Sequence, residues 1–312
     1  MSKLIASVSP HFFSRRTTRT IMLDVILALL PAAIASVIHF GWRSLLVIGV
    51  CVASCVVSEW AFERLCHREN TIGDLSAVVT GLLLAYNLPV SIPVWQAVFG
   101  SVVAIIVVKQ LFGGIGQNFA NPAITARIVL LVAFSGSMTN WVNAATAKMP
   151  DAVSSATPLA AAAKGTTAMM PSYTELLLGQ HAGCLGETCA LALLLGGLYL
   201  LVRRVITWHT PVCYLATVAL LSLVCGKDVL YQLLSGGLLL GAFFMATDYA
   251  TTPSTSWGKV IFGCGCGLIT VLIRFWGNLP EGVSYSILIM NILTPYIARL
   301  TRQKPLTGGV KP

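Results

Sequence analysis

Charge is scarce in this sequence. Of its 312 residues, 10% are Asp, Glu, Lys or Arg and 56% are hydrophobic, whereas an ordinary soluble domain carries about 25% charged residues. So few charges cannot cover the surface of a soluble fold this size. A cytosolic enzyme, a secreted disulfide scaffold and a soluble nucleic-acid binder are therefore excluded. Paired-cysteine motifs are missing too. The nine cysteines stand at 51, 55, 66, 184, 189, 213, 225, 264 and 266 with no Cys-x-x-Cys, and iron–sulfur and zinc sites need several thiolates at close, defined spacing. Cys51 and Cys55 can share a helix face, and Cys264-Gly-Cys266 is a tight pair. The reading adopted is small side chains where membrane helices approach. There is no Gly-x-Gly-x-x-Gly nucleotide fingerprint and no Gly-x-Ser-x-Gly elbow. The N-terminus, MSKLIASVSPHFFSRRTTRT, lacks a short apolar run followed by a small-residue cleavage site, so no cleavable signal is expected.

What is abundant is apolar sequence in long runs. A helix crosses the hydrocarbon core with about 20 apolar residues. Candidate spans lie near 21–39, 44–62, 72–88, 92–112, 122–135, 184–202, 208–225, 229–246, 257–276 and 283–300. The fold class expected is an all-α integral membrane protein with about ten transmembrane helices. The third and fifth spans are short and end at Gly/Pro/Asn-rich breaks. With the N-terminus inside, 13 Lys and Arg fall on the cytoplasmic side and five (Arg43, Lys148, Lys164, Lys227 and Arg274) fall outside. Lys109 and Arg127 lie at or within spans. The excess of basic residues on one side sets orientation, so both termini are expected to be cytoplasmic in a bacterial or archaeal inner membrane. The net charge of +9 is then a topology signal rather than a nucleic-acid footprint. Trp42, Trp60, Trp95, Trp141, Trp208, Trp257 and Trp276 mostly fall near span ends, as interfacial belts do.

The pattern also hints at duplication. Thr80-Gly-Leu-Leu-Leu-Ala-Tyr86 runs into Pro89, and Gly236-Gly-Leu-Leu-Leu-Gly-Ala242 runs into Thr251-Thr-Pro253. Breaks follow the fourth and ninth spans at Gly113-Gly-Ile-Gly-Gln-Asn118 and Gly277-Asn-Leu-Pro280. Five spans separate the copies, so the expectation is an inverted five-plus-five repeat with broken helices gathering a site near the midplane. The organisation expected is a cytoplasmic segment 1–20, a first bundle 21–135, an outer loop 136–183, a second bundle 184–300 and a cytoplasmic tail 301–312.

Carboxylates in membrane spans are costly and are functional candidates. Asp24 is expected to pair with Arg19 or Arg16, and Glu187 to be solvated near the outer interface. Asp248, beside Thr247, Thr251 and Thr252, is a candidate contact for an ion or a ring. Arg127 reads as a paired structural arginine. Asn118 and Asn121 follow the glycines of a segment whose bland explanation is one helix ending and another starting at Pro122. The functional alternative is unwound backbone lining a cavity.

The outer loop carries Asp151-Ala-Val-Ser154-Ser155-Ala156-Thr157-Pro158-Leu159. This pattern resembles the site at which a flavin transferase esterifies FMN onto threonine. Gly73-Asp-Leu-Ser76 with Thr80-Gly-Leu-Leu-Leu84 and Pro89 adds to the likeness. So do Lys109-Gln-Leu-Phe-Gly-Gly-Ile-Gly-Gln-Asn118 with Asn121-Pro-Ala123, and Met245-Ala-Thr-Asp-Tyr-Ala-Thr-Thr-Pro253. Over most of its length the sequence resembles the D subunits of Rnf electron-transport complexes and is similar to the B subunit of the Na+-translocating NADH:quinone oxidoreductase. The resemblance implies covalent FMN on Thr157, within Asp151, Ser154, Ser155, Ala156, Pro158 and Leu159. It also implies a second, non-covalent flavin (riboflavin), for which Asn118, Asn121 and Asp248 are candidate contacts. Family members mostly carry Gly where this chain has Ser155, a departure that bears on modification efficiency. The implied role is electron transfer between ferredoxin and NAD, coupled to Na+ or H+ movement, beside partner subunits that hold the iron–sulfur centres and the NAD site. Two rival readings are a channel or secondary transporter with no flavin, and a flavin-free scaffold subunit.

Overall fold

The computed structural model describes residues 16–143, 157–163, 171–277 and 281–302, and among them the ordered elements are helical, with no strand. Two long helices open the chain, α1 (Thr18–Phe40) and α2 (Trp42–Leu65). Thr17 starts α1 by a reciprocal cap with Thr20, which satisfies two orphan donors of the first turn. Gly41, at φ +75°, ends α1 and starts α2, a left-handed backbone that glycine adopts without a Cβ penalty. Then come α3 (Ser76–Tyr86), α4 (Val94–Val102, continued as a π-helical run Val103–Gln110) and α5 (Pro122–Ala133). Short helices α6 (Ser135–Met138), α7 (Pro158–Ala163) and α8 (Tyr173–Leu178) lead to the second half. There α9 (Ala190–Val202) and α10 (His209–Val224) precede α11 (Val229–Leu234) and α12 (Leu238–Leu240, continued as a π-helical turn Gly241–Met245). The last two helices are α13 (Ser256–Trp276) and α14 (Val283–Leu300).

Among the described residues four helices (α1, α2, α13 and α14) are long and apolar enough to cross a membrane, and shorter apolar helices lie at the remaining candidate spans. Their outward faces are apolar as well. Ile34, Ile38, Leu45, Val57, Leu220 and Leu272 are exposed, as are Trp42, Trp257 and Trp276 at helix ends. Only a hydrocarbon solvent makes such a surface favourable, so the chain is a multi-pass membrane protein. Inside, glycines let backbones touch. A Cβ on Gly81 of α3 would lie 2.7 Å from the Cα of Val52 on α2, and one on Gly196 of α9 would collide with the carbonyl oxygen of Ala28 on α1.

The structure departs from the sequence reading at three places. The expected span 229–246 is not one helix. Ser235 at the end of α11 and Gly236 at φ +69° interrupt it. Asp24 bonds Arg203 and Tyr199, not Arg16 or Arg19, because α9 packs against α1 and brings that pair to its side. Glu187 is not solvated: it is 2% exposed and 3.4 Å from Arg127.

The segment between α8 and α9 explains how short α3 ends within the protein. The last carbonyls of a helix have no partner in the helix. Here Gly186 N–H donates to Tyr86 O at 3.0 Å, Leu185 N–H to Leu88 O at 3.0 Å, and the Cys184 thiol to Asn87 O at 3.2 Å. The irregular backbone on both sides is satisfied, as unwound chain at membrane depth must be. His181, at the start of this segment, is 5% exposed, and its Nδ1 faces Ala182 O at 3.1 Å. Burial lowers its pKa below 6.5, nearby His39 adds to that, and hydrogen bonds at Ala182 and Thr188 and the charge of Glu175 partly offset it. The neutral ring is therefore the folded form. Stability is full above pH 6.5 and falls as pH drops below that value, because the unfolded chain takes up the proton first. Between about pH 7.5 and about pH 5.5 the wild type is expected to lose melting temperature, and His181→Gln to lose less. Equal slopes would refute the assignment.

Candidate functional site

Two polar constellations stand out against the apolar interior. The first surrounds a cleft enclosing about 800 Å³ of empty space, counted to its open mouth. Its walls are apolar side chains of α1, α3, α9 and the π turn, among them Ile21, Val25, Leu83, Leu200, Phe243 and Phe244. Its polar groups are few: Ser76, Thr80, Lys109, Asn118, Asn121, Thr247 and Asp248. The cleft therefore gathers Asn118, Asn121 and Asp248 from segments far apart in sequence.

Each of these groups is held by local structure. Gly113, Gly114 and Gly116, at φ +121°, +96° and +82°, turn the chain after α4. Asn121 then caps α5, its Oδ1 accepting from Ala123 N at 3.1 Å and Ile124 N at 3.3 Å, with Pro122 at the first helical position. Its Nδ2 donates to Met245 O at 3.4 Å, tying the two halves of the chain together. Asn121 thus satisfies the helix-start reading and lines the cleft at once. Asn118 Nδ2 donates to Ala120 O at 3.0 Å. Asp248 accepts from Thr251 Oγ1 at 3.2 Å and from Ala250 N at 3.5 Å.

Lys109 connects the cleft to a buried cluster behind it. Its Nζ donates to Glu59 Oε1 and to Ser76 Oγ, each at 2.6 Å, and Gln110 Nε2 donates to the same Glu59 oxygen at 2.7 Å. Glu59 is fully buried, and its second oxygen, Oε2, has no hydrogen-bond partner among the described residues. Glu59 escaped the sequence reading although it is a carboxylate inside an apolar helix, which is the signal that would have found it.

The second constellation lies around the break between α11 and α12. Arg127 of α5 pairs with Glu281 and, at 3.4 Å, with Glu187, and it donates to Asn87 Oδ1 and Ser284 Oγ at 3.0 Å each. Arg127 is a paired arginine, as expected. Glu281 was not singled out in the sequence. Cys184 joins the two carboxylates in a tight group. The guanidinium beside them makes it an ion-pair network rather than a cation cage. Arg274 of α13 donates to Gln232 O at 2.8 Å, Gln232 Oε1 at 3.2 Å and Ser235 O at 3.2 Å. Thr157 lies close by. It is 4% exposed, its Oγ1 accepts from Ala160 N at 3.3 Å, and its carbonyl accepts from Ala161 N at 2.9 Å, so it caps α7. Tyr231 holds that helix by donating to Pro158 O at 3.2 Å, and Leu159 packs against Gly236. Asp151, Ser154, Ser155 and Ala156 lie outside the described residues.

Against this geometry, comparison with known proteins is specific. A family described as NQR2, RnfD, RnfE matches residues 5–307. The chain belongs to this family. Among its relatives, the D subunit of the Na(+)-translocating ferredoxin:NAD(+) oxidoreductase complex of Acetobacterium woodii is 49% identical over 96% of this chain and 94% of its own length. The D subunit of the proton-translocating ferredoxin:NAD(+) oxidoreductase complex of Clostridium ljungdahlii is 40% identical, covering 98% and 96%. The D subunit of an ion-translocating oxidoreductase complex of Stutzerimonas stutzeri is 39% identical, covering 93% and 92%.

Proposed function

We propose that this chain is the D subunit of an ion-translocating ferredoxin:NAD+ oxidoreductase complex, a membrane electron carrier that works only beside the other subunits. The observation that carries this is near-full-length identity of 49% and 40% to two proteins named as that subunit. One of those relatives is named for Na+ and the other for protons, so the coupling ion is a property on which close relatives differ.

The flavin part of the proposal rests on how the residues fit the groups. Thr157 has the hydroxyl that a phosphoester needs, at the start of a helix that Tyr231 and Gly236 seat against the protein. The apolar cleft with Asn118, Asn121 and Asp248 suits a flat heteroaromatic ring with a polar edge. FMN on Thr157 and riboflavin in the cleft would supply one-electron redox chemistry, and the protein supplies position and electrostatics. For the rings, Asn118 and Asn121 would offer amide groups, Lys109 a fixed positive charge and the surrounding leucines and phenylalanines exclusion of water. The iron–sulfur and NAD sites fall to partner subunits.

Ten spans and an inverted repeat complete the reading. In the first half Lys109, near the end of α4, reaches Ser76 at the start of α3. In the second half Arg274, near the end of α13, reaches Ser235 just before α12. Glycine-containing breaks follow both basic residues, and α1 packs on α9, the first helix of each half. The basic-residue bias favours cytoplasmic termini and an outer-side Thr157. The test is genetic and biochemical. Membranes lacking this chain should lose ferredoxin-dependent NAD+ reduction and ion uptake, and should regain both when it is restored. Retention of coupled activity without it would refute the proposal.

A further inference from the structure

Among the described residues Arg274 is a buried cation with no anion of its own. It is 7% exposed, its three hydrogen bonds go to neutral oxygens of Gln232 and Ser235, and its Nε has no partner among those residues. Among the described residues no carboxylate lies within 4.0 Å of it. Glu187 and Glu281, the nearest candidates, are engaged by Arg127 instead. Ser235 beside it is fully buried, and its hydroxyl is likewise without a partner among the described residues. Burying a charge costs heavily unless it is paired, and an orphaned buried hydroxyl adds to that cost. Two unsatisfied polar groups at one turn therefore mark a place built for a ligand with negative charge and oxygen acceptors.

Gly236 shows what sits opposite. A Cβ there would lie 2.6 Å from Leu159 Cδ1 and 3.3 Å from Arg274 Nη2, so the guanidinium and the helix beginning at Thr157 press on the same point of backbone. Gly236 also has φ +69°, so both conformation and space require glycine. A phosphodiester on Thr157 carries one negative charge and free oxygens, which a guanidinium and a hydroxyl bind as charge-assisted hydrogen bonds.

We infer that Arg274, with the Ser235 hydroxyl, is the anion site that binds the phosphodiester joining FMN to Thr157. This rests on the reading of Thr157 as the flavin acceptor, and it gives the link a function besides tethering. It cancels a buried charge, so attachment of the flavin stabilises the fold around α7 and α11.

The test compares melting temperatures of the full-length chain purified in detergent, produced with and without a flavin transferase. Loading is scored separately by intact mass. Loading is expected to raise the melting temperature of the wild type by about 2 °C or more, to do so partly in Arg274→Lys, and not at all in Arg274→Gln. An equal rise in loaded Arg274→Gln would overturn the inference. A second comparison needs no flavin. Without transferase, Thr157→Glu should melt above Thr157→Gln while Arg274 is present, since a carboxylate supplies the missing anion. A Thr157→Glu protein that melts no higher than Thr157→Gln would overturn the inference even if Arg274→Gln fails to fold. A wild type that acquires no covalent FMN would sink the acceptor reading alone, and the Glu/Gln pair would still decide for or against the anion site.

Discussion

Replacing Thr157 with alanine is expected to remove the covalent flavin completely. Produced with its flavin transferase, the wild-type protein should gain the mass of one FMN less one water and fluoresce in a denaturing gel. Thr157→Ala should show neither, and membranes carrying it should lose ferredoxin-dependent NAD+ reduction. The size of the effect follows from the chemistry. A phosphoester needs a hydroxyl, and a carrier without its redox group passes no electrons. Fluorescence that survives in the variant would move the acceptor to Ser154 or Ser155. An unmodified wild type would remove the covalent-flavin part of the proposal and leave the subunit assignment, which rests on identity to its relatives, in place.

The second large effect concerns Arg127. Arg127→Met leaves buried Glu187 and partly buried Glu281 with no cation within 4.0 Å among the described residues. Removing one partner of a buried ion pair costs about 3–5 kcal/mol, because the remaining charge is uncompensated. Little relaxation is available. A Cβ on Gly237 would already stand 3.3 Å from Glu187 Oε1, and Asn87 and Ser284 would each lose a donor. The variant should accumulate poorly or melt far below the wild type, and adding Glu187→Gln with Glu281→Gln should recover part of the loss. Thermal melting of the purified chain checks this. A single variant as stable as the wild type would contradict the ion-pair description.

How much of this was legible in the sequence depended on whether the signal was local. The α1, α2, α13 and α14 helices announce themselves as long apolar runs, and each apolar run expected to span has helix within it. Asn121-Pro122 reads as a helix start and is one, because capping is decided within a few residues. The break at Ser235–Gly237 was not legible, since Gly-Gly-Leu-Leu-Leu continues an apolar run and only the folded backbone at φ +69°, with Leu159 and Arg274 against it, shows why glycine is there. Pairings were the least legible. Arg127 reaches Glu281 across 154 positions and Asp24 reaches Arg203 across 179, distances over which no spacing rule operates. Thr157 was singled out by motif, but its burial, and the approach of Leu159 and Arg274 to the same glycine, come from the packing of α7 on the turn after α11.

The docking of residues 184–186 onto the end of α3 also orders events during synthesis. Until Cys184, Leu185 and Gly186 emerge, the carbonyls of Tyr86, Asn87 and Leu88 lack the partners they hold in the finished protein. About 100 residues separate the two sides of this handshake, which at about 5–20 residues per second is roughly 5–20 seconds of translation. During that interval the first five apolar segments are already in or near the bilayer with an unfinished seam. The nascent first half is therefore a client that needs either water or a helper at the tip of α3, and a ribosome stalled before residue 184 should leave that half open to proteases and crosslinkers.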